Sequence, residues 1–190
     1  MSWRRELSAD GFERTFAVNC LGHFLLARLL QGPLQAGAPA RVLAVSGGPS
    51  ILANARLDVD GLPRGPDRYN PIAVTVQVML AKVLTTLELG RRAIGTGVTA
   101  NAFSPGLVRS RFDRGLPAPL RMAVRLVQPF LSSTCPTALY AATALELESA
   151  SGVFLARSRT VPFNPTQGTE VRDRLWSLLE GLVAPFERRR

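Results

Sequence analysis

Residue types that carry chemistry are scarce. The 190 residues hold one histidine, His23, one lysine, Lys82, two cysteines, Cys20 and Cys135, and two tyrosines, Tyr69 and Tyr140. One histidine and two cysteines make neither a metal-ligand cluster nor a disulfide framework, so no metal is expected and both thiols read as reduced and buried. No apolar run of about 18 residues is free of charges and turn signals, so no membrane span is expected. The start, Met1-Ser-Trp-Arg-Arg-Glu6, lacks the apolar core of a signal peptide. A cytoplasmic protein is the expectation. No Gly-x-Gly-x-x-Gly and no Thr-Gly-x-x-x-Gly-x-Gly occurs. That removes the turn through which a backbone approaches a dinucleotide pyrophosphate at a helix N-terminus.

The bulk composition points to a folded domain. Hydrophobic residues make up 46% and charged ones 19%, which argues against disorder, and the length suffices for one domain with a core. Net charge is +9, carried by arginine except for Lys82. Mild clustering occurs at Arg109, Arg111, Arg114, Arg121 and Arg125 and at Arg188-Arg189-Arg190. No nucleic-acid motif accompanies these, so a solvated arginine-rich face is preferred and no nucleic-acid partner is expected.

Along the chain, helices and strands alternate. Asp10, with Glu13 three residues on and Ser8 as a competing cap, opens a helix that reaches about Leu30 and breaks at Gly32-Pro33. It is apolar nearly all round, which predicts packing on more than one side. Asn19 and His23 lie inside it, one turn apart. Arg41–Ser46 reads as a strand buried on both faces, and residues 47–70 as a long loop. A second long helix spans 71–94, with Pro71 tolerated in its first turn. Strands follow at Val98–Phe103 and Gly152–Ala156, and helices at 118–130, Pro136 to about Glu148, and Thr169 to about Pro185. This predicts one α/β domain with a narrow, three-stranded parallel sheet flanked by helices.

Several strings add a resemblance. Asp10-Gly-Phe-Glu-x-x-Phe-x-Val-Asn-x-Leu-Gly-His-Phe-Leu-Leu26 resembles the fourth long helix of short-chain dehydrogenases/reductases, nearest the retinol-dehydrogenase and WW-domain-oxidoreductase branch. Val78-Met-Leu-Ala-Lys-Val-Leu-Thr-Thr-Leu-Glu-Leu-Gly-Arg91 is similar to the family's catalytic helix without a gap. Ser104-Pro-Gly-Leu-Val-Arg-Ser110 resembles its Pro-Gly-x-Val-x-Thr turn. The resemblance implies a truncated Rossmann-like fold whose strands match the family's fifth to seventh. It also implies NAD or NADP as cofactor and a hydrophobic alcohol or carbonyl, retinoid- or steroid-like, as substrate.

Carried over residue by residue, the resemblance gives Asn19 the water-relay position and Ser46, at a strand end, a weak substitute for the catalytic serine, whose own position is Gly47. Pro105, Gly106, Val108 and Ser110 take the nicotinamide turn. The catalytic Tyr and Lys positions fall on Thr75 and Met79. The chemistry needs Tyr and Lys four apart on one helix face, so that the ammonium lowers the phenol pKa. The residues four beyond Tyr69 and Tyr140 are Ala73 and Ala144, so no other register supplies the pair.

Two readings follow. One is an oxidoreductase lineage member, inactive alone. The other is a non-catalytic interaction protein, self-associating through an exposed edge at Val42–Val45, with Arg41 its only guard. Leu43, Val45, Phe16 and Leu25 would lose apolar cover there. The amphipathic segment Leu120–Val127 is expected to pack as a lid, with peripheral membrane contact as the alternative.

Overall fold

The computed structural model describes residues 3–109 and 118–187. Its first helix passes without a break from α1 (Arg14–Phe16) through a π-wound turn (Ala17–Leu21) into α2 (Gly22–Leu29). It begins later than Asp10 suggests. Gly11 has φ +81°, and Ser8 and Phe12 close a turn on each other, so neither Asp10 nor Ser8 caps the helix. Glu13 is the cap: its buried carboxylate accepts from the Phe16 N–H at 2.7 Å and from the Tyr69 hydroxyl at 3.0 Å. The chain bends at Leu30, and Gly32-Pro33 lie within α3 (Gln31–Ala36) instead of ending a helix. A proline in a first turn removes an N–H that has no helical partner.

β1 (Ala40–Val45) follows, and the expected loop contains a short helix, α4 (Pro49–Ala53). The central helix, α5 (Pro71–Arg92), starts where the Asn70 side chain accepts from the Ile72 and Ala73 N–H groups. β2 (Val98–Ser104) and α6 (Ala118–Val127) come next, α6 ending in a 3-10 turn (Gln128–Phe130). α7 (Pro136–Thr143) stops where Ala144 turns extended. A separate 3-10 turn (Leu145–Leu147) replaces the last part of the helix expected to reach Glu148. β3 (Phe154–Ala156), β4 (Arg159–Val161) and α8 (Thr169–Glu187) complete the order.

The sheet has the order β1-β2-β3-β4. The first three strands are parallel, with Ala40 opposite Val98 and Val45 opposite Phe103; β4 runs antiparallel to β3. The sheet is therefore four-stranded and mixed, not three-stranded and parallel. The missed hairpin turns on Arg157 and Ser158, both at positive φ. Its sequence lacks the Asn-Gly or Asp-Gly pair that advertises such a turn.

Helices cover both faces. α1, the π-wound turn, α2, α5 and α8 bury Phe16, Phe24, Leu80, Val83, Leu175 and Leu179 on one side. On the other, α7 closes a smaller cluster of Phe103, Ala141, Leu147 and Leu155. All seven residues of β2 are buried. β1 was expected to be buried on both faces, but only Ala44 is; the rest are half-buried and Val45 is 49% exposed. Among the described residues β1 pairs only with β2. Arg41 does not guard that edge: its guanidinium donates to the Ala141 and Ala144 carbonyls at the end of α7. Phe16 keeps full cover and Leu25 partial cover. Cys135 is half-buried, unlike Cys20, because it stands at the N-cap of α7.

Two further expectations change. Met122, Leu126, Val127 and Phe130 stand exposed, so α6 is not packed as a lid among the described residues. α5 is long and apolar enough by composition to cross a membrane, at a mean hydropathy of 1.6. Its burial between β2 and the helices accounts for that composition, and it carries the buried Lys82 and Glu88.

Candidate functional site

β1 and β2 end side by side, and the predicted residues gather beyond their carboxyl ends. This is where open α/β sheets place their ligands. The Ser46 N–H donates to the Phe103 carbonyl at 2.8 Å, extending the β1–β2 ladder by one bond. The Ser46 hydroxyl, almost buried, donates to the Met79 carbonyl at 3.4 Å, so it is tied to α5 and not held out toward a substrate. Gly47 stands beside α5 as well: a Cβ built there would lie 3.5 Å from the Met79 sulfur. Thr75, one turn before Met79, donates its hydroxyl to the Pro71 carbonyl at 2.7 Å. That bond inside its own helix occupies the proton an acid would need to give.

Asn19 lies at the middle of the π-wound turn, facing α5 across the same end of the sheet. Its side-chain amide donates to the Thr15 carbonyl at 3.1 Å. A π-wound turn leaves its backbone carbonyls poorly paired, and such turns occur frequently at functional sites. Periodicity gave no sign of it. On the β2 side, Pro105 and Gly106 make the expected turn, with Gly106 at φ +71° and its N–H donating to the Ser104 hydroxyl. Val108 continues it by a bridge to Ser132, and the Arg109 N–H donates to the Ser132 carbonyl. Ser110 lies outside the described residues. Among the described residues nothing comes within 4 Å of a Cβ built on Gly106.

These residues do not fit a nicotinamide dinucleotide. A thioether replaces the ammonium, a back-bonded threonine replaces the phenol, and the described chain has no glycine-rich strand–helix turn. No catalytic step follows from such a set. No group of three or more His, Cys, Asp or Glu able to hold a metal ion occurs among the described residues.

A cluster that sequence reasoning left unassigned lies one turn further along α5. Lys82 is buried, with no carboxylate in an ion pair with it among the described residues, and burial holds its ammonium below the usual lysine range. It faces Cys20 and His23. Burial pushes the Cys20 thiol up to about 12 and, with Lys82 beside it, pulls His23 down. The available signal was the lone lysine in an apolar helix.

The best-formed cavity, about 110 Å³, lies elsewhere. It opens at the amino ends of β1 and β2, among Ala27, Leu34, Val42, Val98 and Trp176. Its lining holds no nucleophile or acid–base pair, so the chemistry-bearing positions and the cavity do not coincide.

No family model matches the chain. Retinol dehydrogenase 12 of Bos taurus is 39% identical to it over 177 residues, covering 90% of this chain and 54% of that protein. The curated proteins it is similar to are retinol dehydrogenases and a WW domain-containing oxidoreductase, members of the short-chain dehydrogenase/reductase family. Human retinol dehydrogenase 13 is 37% identical, over 94% of this chain and 57% of its own length. A crystal structure of an uncharacterized protein from Mycobacterium Paratuberculosis superposes with a TM-score of 0.64 at 26% identity, covering 96% of this chain and 63% of the other. The chain thus spans about half the length of the curated relatives it matches. The fold resembles the Rossmann-like fold of these oxidoreductases.

Proposed function

We propose that this chain derives from an NAD(P)-dependent oxidoreductase of apolar alcohols or carbonyls, of the retinoid or steroid kind, and does not itself carry out hydride transfer. One observation carries the reading. The helix and strand ends that should present Ser, Tyr and Lys present Gly47, Thr75 and Met79, with Thr75 bonded back to Pro71. The likeness to retinol dehydrogenases supports the substrate class of the lineage. Hydride transfer depends on positioning against a bound donor, and the described residues hold no seat for one. Calorimetric titration with NAD and with NADP tests the reading. Neither is expected to bind measurably at micromolar concentration; micromolar affinity for either overturns it.

A second reading, a non-catalytic protein that pairs with its own copies, is favoured by the open edge of β1 and by Val45, half exposed beside it. An unpaired strand edge is a template for another strand. Leu43 packs against the Phe103–Leu155 cluster, so Val45 is the position to change. Light scattering should show an oligomer at micromolar concentration that Val45→Lys disperses. A monomer before and after the change removes this reading.

A further inference from the structure

The cavity at the amino ends of β1 and β2 lies apart from the positions that carried chemistry in the relatives. It measures about 110 Å³. Its most buried lining residues are apolar: Ala27, Val98 and Trp176 are almost fully covered. Its charged lining residues are the open ones, the Arg28 and Arg92 side chains keeping 31% and 42% exposure. No carboxylate lines it. The cavity therefore runs from a charged mouth to an apolar floor. That gradient fits a molecule with an apolar chain and one polar head.

The arginines set the sign of the head. Arg28 is compensated, its Nε donating to Glu187 at 3.0 Å and its Nη1 to Glu180 at 3.4 Å. Arg92 is not. Among the described residues it donates from Nε alone, at 2.7 Å, to Glu88, a carboxylate it shares with Arg91 and Arg172. One carboxylate does not neutralise three guanidiniums, and the terminal nitrogens of Arg92 keep donors for a further acceptor. A guanidinium fork of this kind matches a carboxylate.

The indole wall is fixed before any ligand arrives. Arg92 lies 4.3 Å over the Trp176 ring, and Phe24 meets that ring at 90° with centroids 5.0 Å apart. A wall already in place lowers the ordering cost of binding. An apolar cavity of roughly 150 Å³ holds benzene, so one somewhat smaller takes a chain of about five carbons.

We propose that this cavity binds a small apolar monocarboxylate, with its chain against Val42, Val98 and Trp176 and its carboxylate on the terminal nitrogens of Arg92. No bond is made or broken. The proposal does not depend on the oxidoreductase lineage, and its test contains no dinucleotide, so the two fail separately.

The experiment titrates the whole isotope-labelled chain with hexanoate at neutral pH and constant ionic strength. NMR follows the Trp176 indole and Arg92 Nε resonances, and Trp3→Phe assigns the indole. Both resonances should shift saturably in the millimolar range. Hexanoate should bind roughly tenfold or more tightly than hexylammonium, hexanol or acetate, which lack either the anionic head or the chain. Arg92→Gln should weaken hexanoate by a similar factor. That change also loosens the bonding of Glu88, so Ala93→Leu supplies a second check. Ala93 lines the cavity at the end of α5, and the larger side chain fills it with every arginine left in place. Ala93→Leu should abolish hexanoate binding. The parent titration decides alone if either variant fails to fold. No saturable shift in the parent overturns the proposal. So does hexylammonium or hexanol binding as tightly as hexanoate, or hexanoate binding that survives Ala93→Leu.

Discussion

The two halves of α5 read alike in sequence and are held in opposite ways. In the C-terminal half a carboxylate is buried completely and clasped: Glu88 accepts from Arg91 at 2.7 and 2.9 Å and from Arg92 at 2.7 Å, with Arg172 at 3.5 Å. Arg92 in turn lies 4.3 Å over the Trp176 ring, tying α8 to the cluster. At the middle of the helix, on the face of Thr75 and Met79, Lys82 is a buried residue with no carboxylate paired to it among the described residues. Charge that holds the fold is paired from several elements. A lysine buried without a paired carboxylate is instead held below its ordinary pKa by desolvation.

Backbone contact in the C-terminal half sets the largest expected effect. A Cβ on Gly90 would lie 2.5 Å from the Gly152 nitrogen and 2.6 Å from the Ala100 carbonyl oxygen, both backbone atoms. Gly90→Ala must therefore push α5 off β2, at a cost of about 3 kcal/mol or more. Urea unfolding measures it; a variant as stable as the parent would mean α5 is not seated as tightly as this contact implies.

Next in size is the clasp. Glu88→Gln leaves a buried amide among arginines and should cost about 2 kcal/mol at neutral pH, discounted because Arg91 and Arg92 are themselves part exposed. Its hydrogen bond with Arg91, then that with Arg92, holds the Glu88 carboxyl below its ordinary value. The carboxylate then contributes stability above the unfolded value and loses it as pH falls through the lowered one. The parent should lose stability on acidification over that window more steeply than the Gln variant. Parallel acid slopes would show that the clasp is not the source.

The smallest effect belongs to the amine. Lys82 has a folded pKa below its unfolded one, so the unfolded chain binds more protons between the two, and stability should rise as pH climbs from the lowered value toward the ordinary one. At the alkaline end Cys20 works against it. The unfolded thiol ionises at its ordinary value, while the folded one stays protonated to about 12, so stability falls. Lys82→Met should abolish the rise and match or exceed the parent at pH 7, by about 1 kcal/mol. A variant that loses stability at pH 7 would mean the ammonium is satisfied there after all.

Much of this was legible in the residues. Periodicity and turn signals placed α5, β2 and α8 within a few residues, because each is long or wholly apolar and bounded by Gly, Pro or Asn. The strings around Asn19, Gly47, Thr75, Met79 and Pro105-Gly106 are the ones the resemblance singles out, and the structure brings them to one end of the sheet. Short elements were harder to read. α4 has five residues, and β4 rests on two left-handed residues that are not glycine. The cap moved from Asp10 to Glu13 because a tyrosine 56 positions away completes that carboxylate's bonds.

By itself the sequence determined the α/β alternation and the likeness to short-chain dehydrogenases/reductases, since these depend on residue identity and local spacing. Tertiary structure alone decided which apolar strand is buried on both faces. Among the described residues β2 has neighbours on each side, whereas β1 has one, and composition does not distinguish them. Pairing across elements also decided the fate of the charges. Three arginines from two helices reach Glu88 and no carboxylate reaches Lys82. Which charge finds a partner depends on how α5 is rotated against α8 and the π-wound turn.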